Sequence, residues 1–225
     1  LIIGAVYADP GGDSSAGESY VVFGKGDWSG AASLDLSTLN GTTGFRLDGI
    51  DRQDQSGYSV SGVGDVNADG YDDLIIGAPH ADPGGDSAAG ESYVVFGKAS
   101  FASSLDLSTL NGTTGFRLDG IDHNDQSGYS VSGVGDVNAD GYDDLIIGAP
   151  HADPGGDSAA GESYVVFGKA SFASSLDLST LNGTTGFRLD GVDADDWSGS
   201  SVSGIGDVNA DGYDDLIIGA MHAHK

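Results

Sequence analysis

The chain has 225 residues, of which 38% are hydrophobic, and this is enough apolar material for the core of one ordinary domain. Its formal net charge of −27 repels the phosphate backbone of nucleic acids, and the lack of cysteine excludes disulfides and thiolate metal sites. The chain has 39 glycines against 5 prolines and shows no long helical stretch. This composition predicts short strands joined by tight turns, and therefore an all-β fold.

The apolar runs are far shorter than a bilayer span, so we expect no membrane-spanning segment. The N-terminus has no basic segment followed by a signal-type apolar run. Leu1 falls inside a repeated string, which leads us to expect a processed product or a segment of something longer.

A repeat organises the whole chain. The nine-residue string Asp-Val-Asn-Ala-Asp-Gly-Tyr-Asp-Asp begins at Asp65, Asp136 and Asp207, a spacing of 71 residues, and Leu-Ile-Ile-Gly-Ala follows each copy. Because no linker interrupts the repeats, we treat 1–225 as a single array. Its units are repeat one at 1–73, repeat two at 74–144, repeat three at 145–215 and the start of a further repeat at 216–225.

Four segments of each unit have the composition of strands. Strand A, at 129–134, alternates and is bounded by glycines, and strand B, at 145–149, is an apolar run that follows the acidic string. Strand C, at 163–167, is aromatic and β-branched, and strand D, at 187–189, is shorter. Four antiparallel strands per unit, repeated radially, are typical of propeller blades.

The strand count leaves one strand over. The chain reads B-C-D, then A-B-C-D twice, then A-B, which gives about three blades plus a surplus strand. The strand at Leu1 lacks its strand A, and an unpaired edge of this kind favours pairing with another chain. We therefore expect either part of a larger ring or an array completed by further copies of the same repeat, with the contact running through this strand.

The acidic strings predict metal sites. Oxygen-bearing side chains occupy positions 1, 3, 5 and 9, and glycine occupies position 6, where a sharp turn is needed. Calcium prefers six to eight hard oxygen ligands in a flexible geometry, whereas magnesium demands a tight octahedron. An EF-hand loop needs a bidentate acid at position 12 and a helix after it, whereas here position 12 is isoleucine and a β-run follows. The alternative is that these residues only form a turn. The predicted side-chain ligands are Asp65, Asn67, Asp69, Asp73, Asp136, Asn138, Asp140, Asp144, Asp207, Asn209, Asp211 and Asp215.

The chain resembles the FG-GAP repeats of integrin α-subunits and bacterial surface proteins. The matching residues lie at 56–79 and 127–150, followed by Tyr-Val-Val-Phe-Gly at 93–97 and 164–168. The chain departs from the family where a leading phenylalanine is replaced by serine, as at Ser56. The resemblance implies propeller blades, and it adds the position-7 backbone carbonyls of Tyr71, Tyr142 and Tyr213 to the calcium ligands.

These features predict a non-catalytic extracellular or cell-surface module that holds about three Ca²⁺ ions and serves as a scaffold or adhesion surface. Its expected partners are further copies of the repeat and a surface protein or glycan. One alternative is a self-assembling structural polymer of stacked repeats. Another is an accessory domain of a secreted polysaccharide-acting enzyme. We find no nucleophile elbow, zinc signature or phosphate-binding loop.

Three weaker signals remain open. The acidic residues Asp82, Asp86 and Glu91 could form a second cation site or a solvated turn. Trp28 and Trp197 interrupt the repeat, which makes them candidates for either an exposed contact or a local change in packing. Asp72, at position 8 of the first acidic string, is expected to face solvent.

Overall fold

A computed structural model describes residues 1–27, 29 and 33–224. The regular structure in these residues consists of strands and short 3-10 turns, which confirms the all-β prediction. The strands are β1 Ile2–Ala5, β2 Glu18–Val22, β3 Gly44–Asp48, β4 Ser59–Gly64, β5 Asp73–Ala78, β6 Glu91–Val95, β7 Ser104–Asp106, β8 Gly115–Asp119, β9 Ser130–Gly135, β10 Asp144–Ala149, β11 Glu162–Val166, β12 Ser175–Asp177, β13 Gly186–Asp190, β14 Ser198–Gly206 and β15 Asp215–Ala220. The described residues contain no helix long and apolar enough to cross a membrane.

The strands form four sheets, which we call blades. Blade 1 is β1-β2-β3, blade 2 is β4-β5-β6-β8, blade 3 is β9-β10-β11-β13 and blade 4 is β14-β15. Blades 2 and 3 each contain strands A, B, C and D, hydrogen-bonded to one another in that order and antiparallel. The predicted strand order and the blade-like sheets are thereby confirmed. Each complete blade begins at strand A, whereas the sequence units defined above begin at strand B. The acidic string at the end of a sequence unit therefore lies inside a blade, where it joins strand A to strand B.

Two short strands were not predicted. β7 runs parallel to β3, with Leu105 opposite Leu47, and β12 runs parallel to β8, with Leu176 opposite Leu118. Each of them comes from the following repeat and lies on the outer strand of the preceding blade. The three-residue segments are too short to show a strand period, and their partners are distant in sequence. Their effect is to join neighbouring blades through backbone hydrogen bonds.

The hydrophobic core lies between successive blades. One cluster joins Phe45 of blade 1 to Ile76 of blade 2, and a second joins Val94 of blade 2 to Ile147 of blade 3. Phenylalanines stack across both seams: the rings of Phe45 and Phe101 lie 4.0 Å apart, and their counterparts one repeat later are equally close. Each blade is thus one layer of a stack, and its inner faces are buried only when its neighbours are present.

Glycines set the distance between blades. Gly77 and Gly148, on the two central B strands, face the backbone of the next blade. A Cβ atom on Gly148 would lie 2.0 Å from the carbonyl oxygen of Gly199, and one on Gly77 would lie 2.0 Å from that of Gly128. Real Cβ atoms do not approach an oxygen so closely, so any larger residue must push the blades apart. Close stacking therefore requires glycine at this position.

The connection between strands D and A carries a buried carboxyl group in each interior repeat. Asp125 is 6% exposed, and burial raises its pKa to about 7. The acidic groups of Asp122, Glu162 and Asp153 face it and raise the pKa further. Asp54 has the same burial and a pKa of about 7. These carboxyl groups oppose folding whenever they are ionised.

The glycine contacts can be tested with Gly148→Ala. We expect this variant to lower the free energy of unfolding by about 1–3 kcal/mol, because its methyl group overlaps the next blade. Gly62→Ala is the matched control, since a Cβ there meets only the carbonyl oxygen of Asp73, at 4.0 Å. Chemical denaturation of both variants measures the difference. Equal stability of the two variants would contradict the close-approach account.

The buried carboxyl predicts a pH dependence of stability. Because the folded-state pKa of Asp125 is raised above its value in the unfolded chain, the stabilising protonated form is fully present below about pH 4. That contribution is lost as the pH rises through about 7. We expect Asp125→Asn to be more stable than the parent at pH 8, on the order of 1 kcal/mol, and about equal at pH 4. The exposed Asp157→Asn is the control, and a matching gain there would refute the assignment.

Candidate functional site

Three acidic loops, at residues 65–73, 136–144 and 207–215, join strand A to strand B in blades 2, 3 and 4. In the first loop the Asp65 carboxylate accepts hydrogen bonds from the N–H groups of Asp69 at 3.0 Å and Gly70 at 2.8 Å. Asn67 Oδ1 accepts from the N–H of Asp69 at 2.9 Å, and Asp69 Oδ1 accepts from that of Tyr71 at 3.0 Å. The side-chain oxygens at positions 1, 3 and 5 therefore gather inside one turn.

The other two loops repeat this geometry. The Asp136 carboxylate accepts from the N–H of Gly141 at 2.8 Å, and the Asp207 carboxylate accepts from that of Gly212 at 2.9 Å. The position-6 glycines have φ near 90°, as in Gly70 with φ of 91°, which side-chain-bearing residues rarely adopt. Asp, Asn and Gly thus fold each loop by the same local hydrogen bonds.

The aspartates at position 9 are buried in the two interior loops, whereas Asp215 in the third loop is half-buried. The Asp73 carboxylate accepts from the N–H of Val66 at 3.0 Å and from that of Gly97 at 2.7 Å. Burial raises its pKa to about 7, and Asp144 has the same environment and the same raised pKa in the second loop. In the third loop, Asp215 accepts from the N–H of Val208 at 2.9 Å. The position-9 carboxylates therefore tie each interior loop to the end of strand C.

The aspartates at position 8 connect one loop to the next. Asp143 Oδ2 accepts from the N–H of Asp65 at 2.8 Å, and Asp214 Oδ2 accepts from that of Asp136 at 3.1 Å. Asp72 is exposed, as expected from the sequence, but its two counterparts are not solvent-facing groups. Sequence reasoning missed this link. The only signal for it was that an aspartate recurs at position 8 in all three loops.

The donor set fits calcium in its chemistry, because every predicted ligand is a hard oxygen atom. The arrangement of the loop oxygens matches a calcium site only in part. Among the described residues, no three His, Cys, Asp or Glu side chains come together closely enough to hold a metal ion. The oxygens at positions 1, 3 and 5 face backbone N–H groups, and Asp73 faces Val66 and Gly97. The calcium ligands predicted above, including the tyrosine carbonyls, stay predictions.

In the second acidic cluster, Asp82 and Glu91 both make hydrogen bonds within the fold. Asp82 Oδ1 accepts from the N–H of Ala88 at 2.7 Å, which closes a turn. Glu91 accepts from the Tyr93 hydroxyl and forms an ion pair with Arg117 at 3.4 Å. Desolvation raises the pKa of Glu91, and it raises that of Tyr93 well above its ordinary value. These contacts favour the turn interpretation over a second cation site.

Trp197 is part of a local packing arrangement. Its ring lies between His151 and His222, with centroid distances of 4.5 Å to each. The substitution of glutamine by tryptophan at this position thus adds aromatic contact along the array. The other tryptophan, Trp28, lies outside the described residues.

The comparisons with known proteins agree with this architecture. The FG-GAP repeat model matches residues 56–95, 127–166 and 198–224. The first two matches begin just before strand A, and the third begins at the first residue of strand A. Each match contains one acidic loop, and the first two continue to strand C. No curated protein matches the chain. The chain is therefore similar to FG-GAP repeats at three places, once for each acidic loop.

Proposed function

We propose that this chain is a calcium-stabilised, non-catalytic module of extracellular or cell-surface type, whose blades form a scaffold or adhesion surface. One observation carries the proposal: the side-chain oxygens at positions 1, 3 and 5 converge in the same turn in all three acidic loops. FG-GAP repeats form a repeat module of the integrin-like kind, and such modules usually occur outside the cell.

Electrostatics supports a role for a cation in these loops. The first loop places Asp65, Asp69 and Asp73 within nine residues, and the loop contains no lysine or arginine. The arginine ion pairs lie elsewhere, as between Arg117 and Glu91 on strands D and C. A divalent cation joining the loop carboxylates would remove their mutual repulsion.

Calcium would be held in each loop by the oxygens at positions 1, 3 and 5, together with the position-7 carbonyl and the position-9 carboxylate. In the first loop these are the oxygens of Asp65, Asn67 and Asp69, the carbonyl of Tyr71 and the carboxylate of Asp73. When bound, the ion supplies charge neutralisation. The chain's own residues orient the loop, and Asp143 then links the ordered loop to the next blade. Calcium would in this way stabilise the seam between blades.

The polar clusters of the described residues support a structural role. Within blade 2, Glu91 accepts a hydrogen bond from the Tyr93 hydroxyl and pairs with Arg117, and blade 3 has the same set. Because the same glutamate, tyrosine and arginine contacts recur in both blades, they are suited to holding strands C and D together. The accessory-domain alternative shares this structural role and differs only in what the module is attached to.

Calcium binding can be tested with Asp140→Asn. The asparagine Oδ1 can still accept the Tyr142 N–H, which lies 3.1 Å from Oδ1 of the aspartate, so this turn contact is kept while the charge and the hydrogen bond from Asn138 Nδ2 are lost. We expect isothermal titration calorimetry to show about three Ca²⁺ ions for the parent and about two for the variant. The melting temperatures of the two proteins should differ little in chelator and separate further in millimolar calcium, because an ion stabilises only the folded form that binds it.

Asp157→Asn is the matched control, because it removes one exposed carboxylate from the other acidic turn. Its calcium stoichiometry should equal that of the parent. Unchanged stoichiometry in Asp140→Asn would show that the ligand set is wrong. A parent chain that binds no calcium would refute the proposal itself.

A further inference from the structure

The connection between strands C and D carries the same short polar sequence in each repeat. An asparagine is followed by a glycine and a threonine, at residues 40–42, 111–113 and 182–184. Asparagine, any residue except proline, and then threonine or serine is the sequence that accepts N-linked glycans on surface loops. The asparagine and the threonine are exposed in all three copies. A short sequence of this kind also forms turns, so its role depends on which of its atoms the fold uses.

The fold uses the asparagine through its side-chain oxygen. Asn111 Oδ1 accepts hydrogen bonds from the N–H groups of Thr113 at 3.0 Å and Thr114 at 3.2 Å. The Thr113 hydroxyl donates to the same oxygen at 2.7 Å. Because a backbone N–H only donates, the atom that it contacts is the oxygen of the amide and not the nitrogen. These contacts close a turn immediately before strand D.

The other two copies form the same turn. Asn40 Oδ1 accepts from the N–H of Thr42 at 2.9 Å, and Asn182 Oδ1 accepts from that of Thr184 at 3.0 Å. The glycine between asparagine and threonine has φ of 84° to 87° in the three copies, a conformation that other residues rarely adopt. The backbone of the turn therefore accounts for the glycine and for the asparagine oxygen.

The side-chain nitrogen of each asparagine is left over. In all three copies Nδ2 donates no hydrogen bond to any residue that the structure describes. A carboxylate would make the same turn: Asp106, in the same connection, accepts from the N–H of Ser108 at 2.9 Å and from its hydroxyl at 2.6 Å. The other two repeats use aspartate in the same way. The turn thus requires an oxygen acceptor, and Nδ2 has no structural role.

The strand pairing shows where these turns lie. Leu74, which follows the first acidic loop, is opposite Val95 at the end of strand C, and Val95 is opposite Gly115 at the start of strand D. The connection between strands C and D therefore leaves and enters the sheet at the end that carries the acidic loop. The turns with Pro83 and the buried Asp125 lie in connections at the opposite end.

We infer that Asn40, Asn111 and Asn182 are acceptors for N-linked glycans. In the transfer, Nδ2 attacks C1 of a sugar that is carried on a diphosphate. The N–C1 bond forms as the C1–O bond breaks, the diphosphate leaves with the electron pair of that bond, and the nitrogen gives up one proton to a base of the transferring enzyme. The donor is a sugar diphosphate, whether its other substituent is a lipid or a nucleoside.

The glycosylated asparagine keeps every contact that the fold makes with it. Only Nδ2 is substituted, so Oδ1 remains an acceptor for the N–H groups of Thr113 and Thr114. The glycan adds no charge to a surface whose formal net charge is −27. Glycans at these positions would cover the end of the blades that carries the acidic loops, and they would direct large partners to the opposite end. Their attachment does not require calcium.

The test is enzymatic glycosylation of the purified full chain in two arms. One arm contains an oligosaccharyltransferase with a lipid-linked oligosaccharide, and the other contains a soluble asparagine glucosyltransferase with UDP-glucose. Mass spectrometry of the intact chain should show one glycan for each of the three sequences in at least one arm. Peptide mapping should place these glycans on Asn40, Asn111 and Asn182, and the arm that reacts identifies the donor.

Threonine variants test whether the sequence is what the enzyme reads. Thr113→Ala should lose the glycan on Asn111 and keep the other two, whereas Thr113→Ser should keep all of them. Thr114→Ala is the matched control, since it removes the neighbouring hydroxyl, 3.3 Å from Asn111 Oδ1, and leaves the acceptor sequence intact. Its glycan count should equal that of the parent. A glycan that persists on Asn111 in Thr113→Ala would overturn the inference.

Aspartate and alanine at position 111 separate glycan attachment from turn formation. Asn111→Asp should melt at about the same temperature as the unmodified parent, because its carboxylate keeps the turn, and it should carry no glycan there. Asn111→Ala should melt lower, because it loses the turn as well. Equal losses in both variants would contradict the spare role of Nδ2. A parent chain that gains no mass in either arm would overturn the inference, while calcium titration of the unmodified chain would be unaffected.

Discussion

The structure depends on hydrogen bonds from backbone N–H groups to aspartate carboxylates in the acidic loops. Asp73 is fully buried, and its two oxygens hold the start of its own loop and the end of strand C. A buried carboxylate without partners would be costly, whereas hydrogen bonds to a charged group contribute about 1.5–3 kcal/mol each. Asp143 extends the network to the preceding loop. The loop that is the candidate calcium site is thus also part of the framework of the array.

The remaining contacts follow from stacking blades around this network. Glycines such as Gly148 allow the backbones to meet, and stacked phenylalanines such as Phe116 and Phe172 fill the space between sheets. Since each blade contacts mainly its neighbours, stability is approximately a sum of blade and seam contributions. The same geometry accounts for the cohesion of the interior blades.

Much of the fold could be predicted from the sequence, because local patterns determine it. The observed bounds of strands A to D lie within about one residue of the predicted bounds. Alternating and apolar runs bounded by glycine are direct indications of strands. β7 and β12 were missed because three-residue parallel strands carry no period. The bridging role of Asp143 was missed because its partner lies 78 residues away. Sequence reasoning assigns residue types to a loop, but it does not show which neighbouring loop they reach.

The candidate metal loops illustrate the same limit. The oxygen pattern predicted which residues gather in the turn, and Asp65, Asn67 and Asp69 do gather there. It did not predict that Asp73 would be buried against Val66 and Gly97, because that depends on how strand C ends beside the loop. Alternating carboxylates serve both as turn-forming groups and as potential cation ligands. The two roles are compatible, since each carboxylate oxygen has more than one lone pair.

The most direct test of the carboxylate network is amide hydrogen exchange of its donors, followed by NMR. The account predicts that the N–H groups of Val66 and Val137, held by buried Asp73 and Asp144, exchange only through large-scale unfolding of the array. The N–H groups of Asp65 and Asp136, bound by the following loop, should be similarly protected. Exchange of these four amides at the rate of an unstructured peptide, while the strands remain protected, would contradict the claim that the acidic loops hold the blades together.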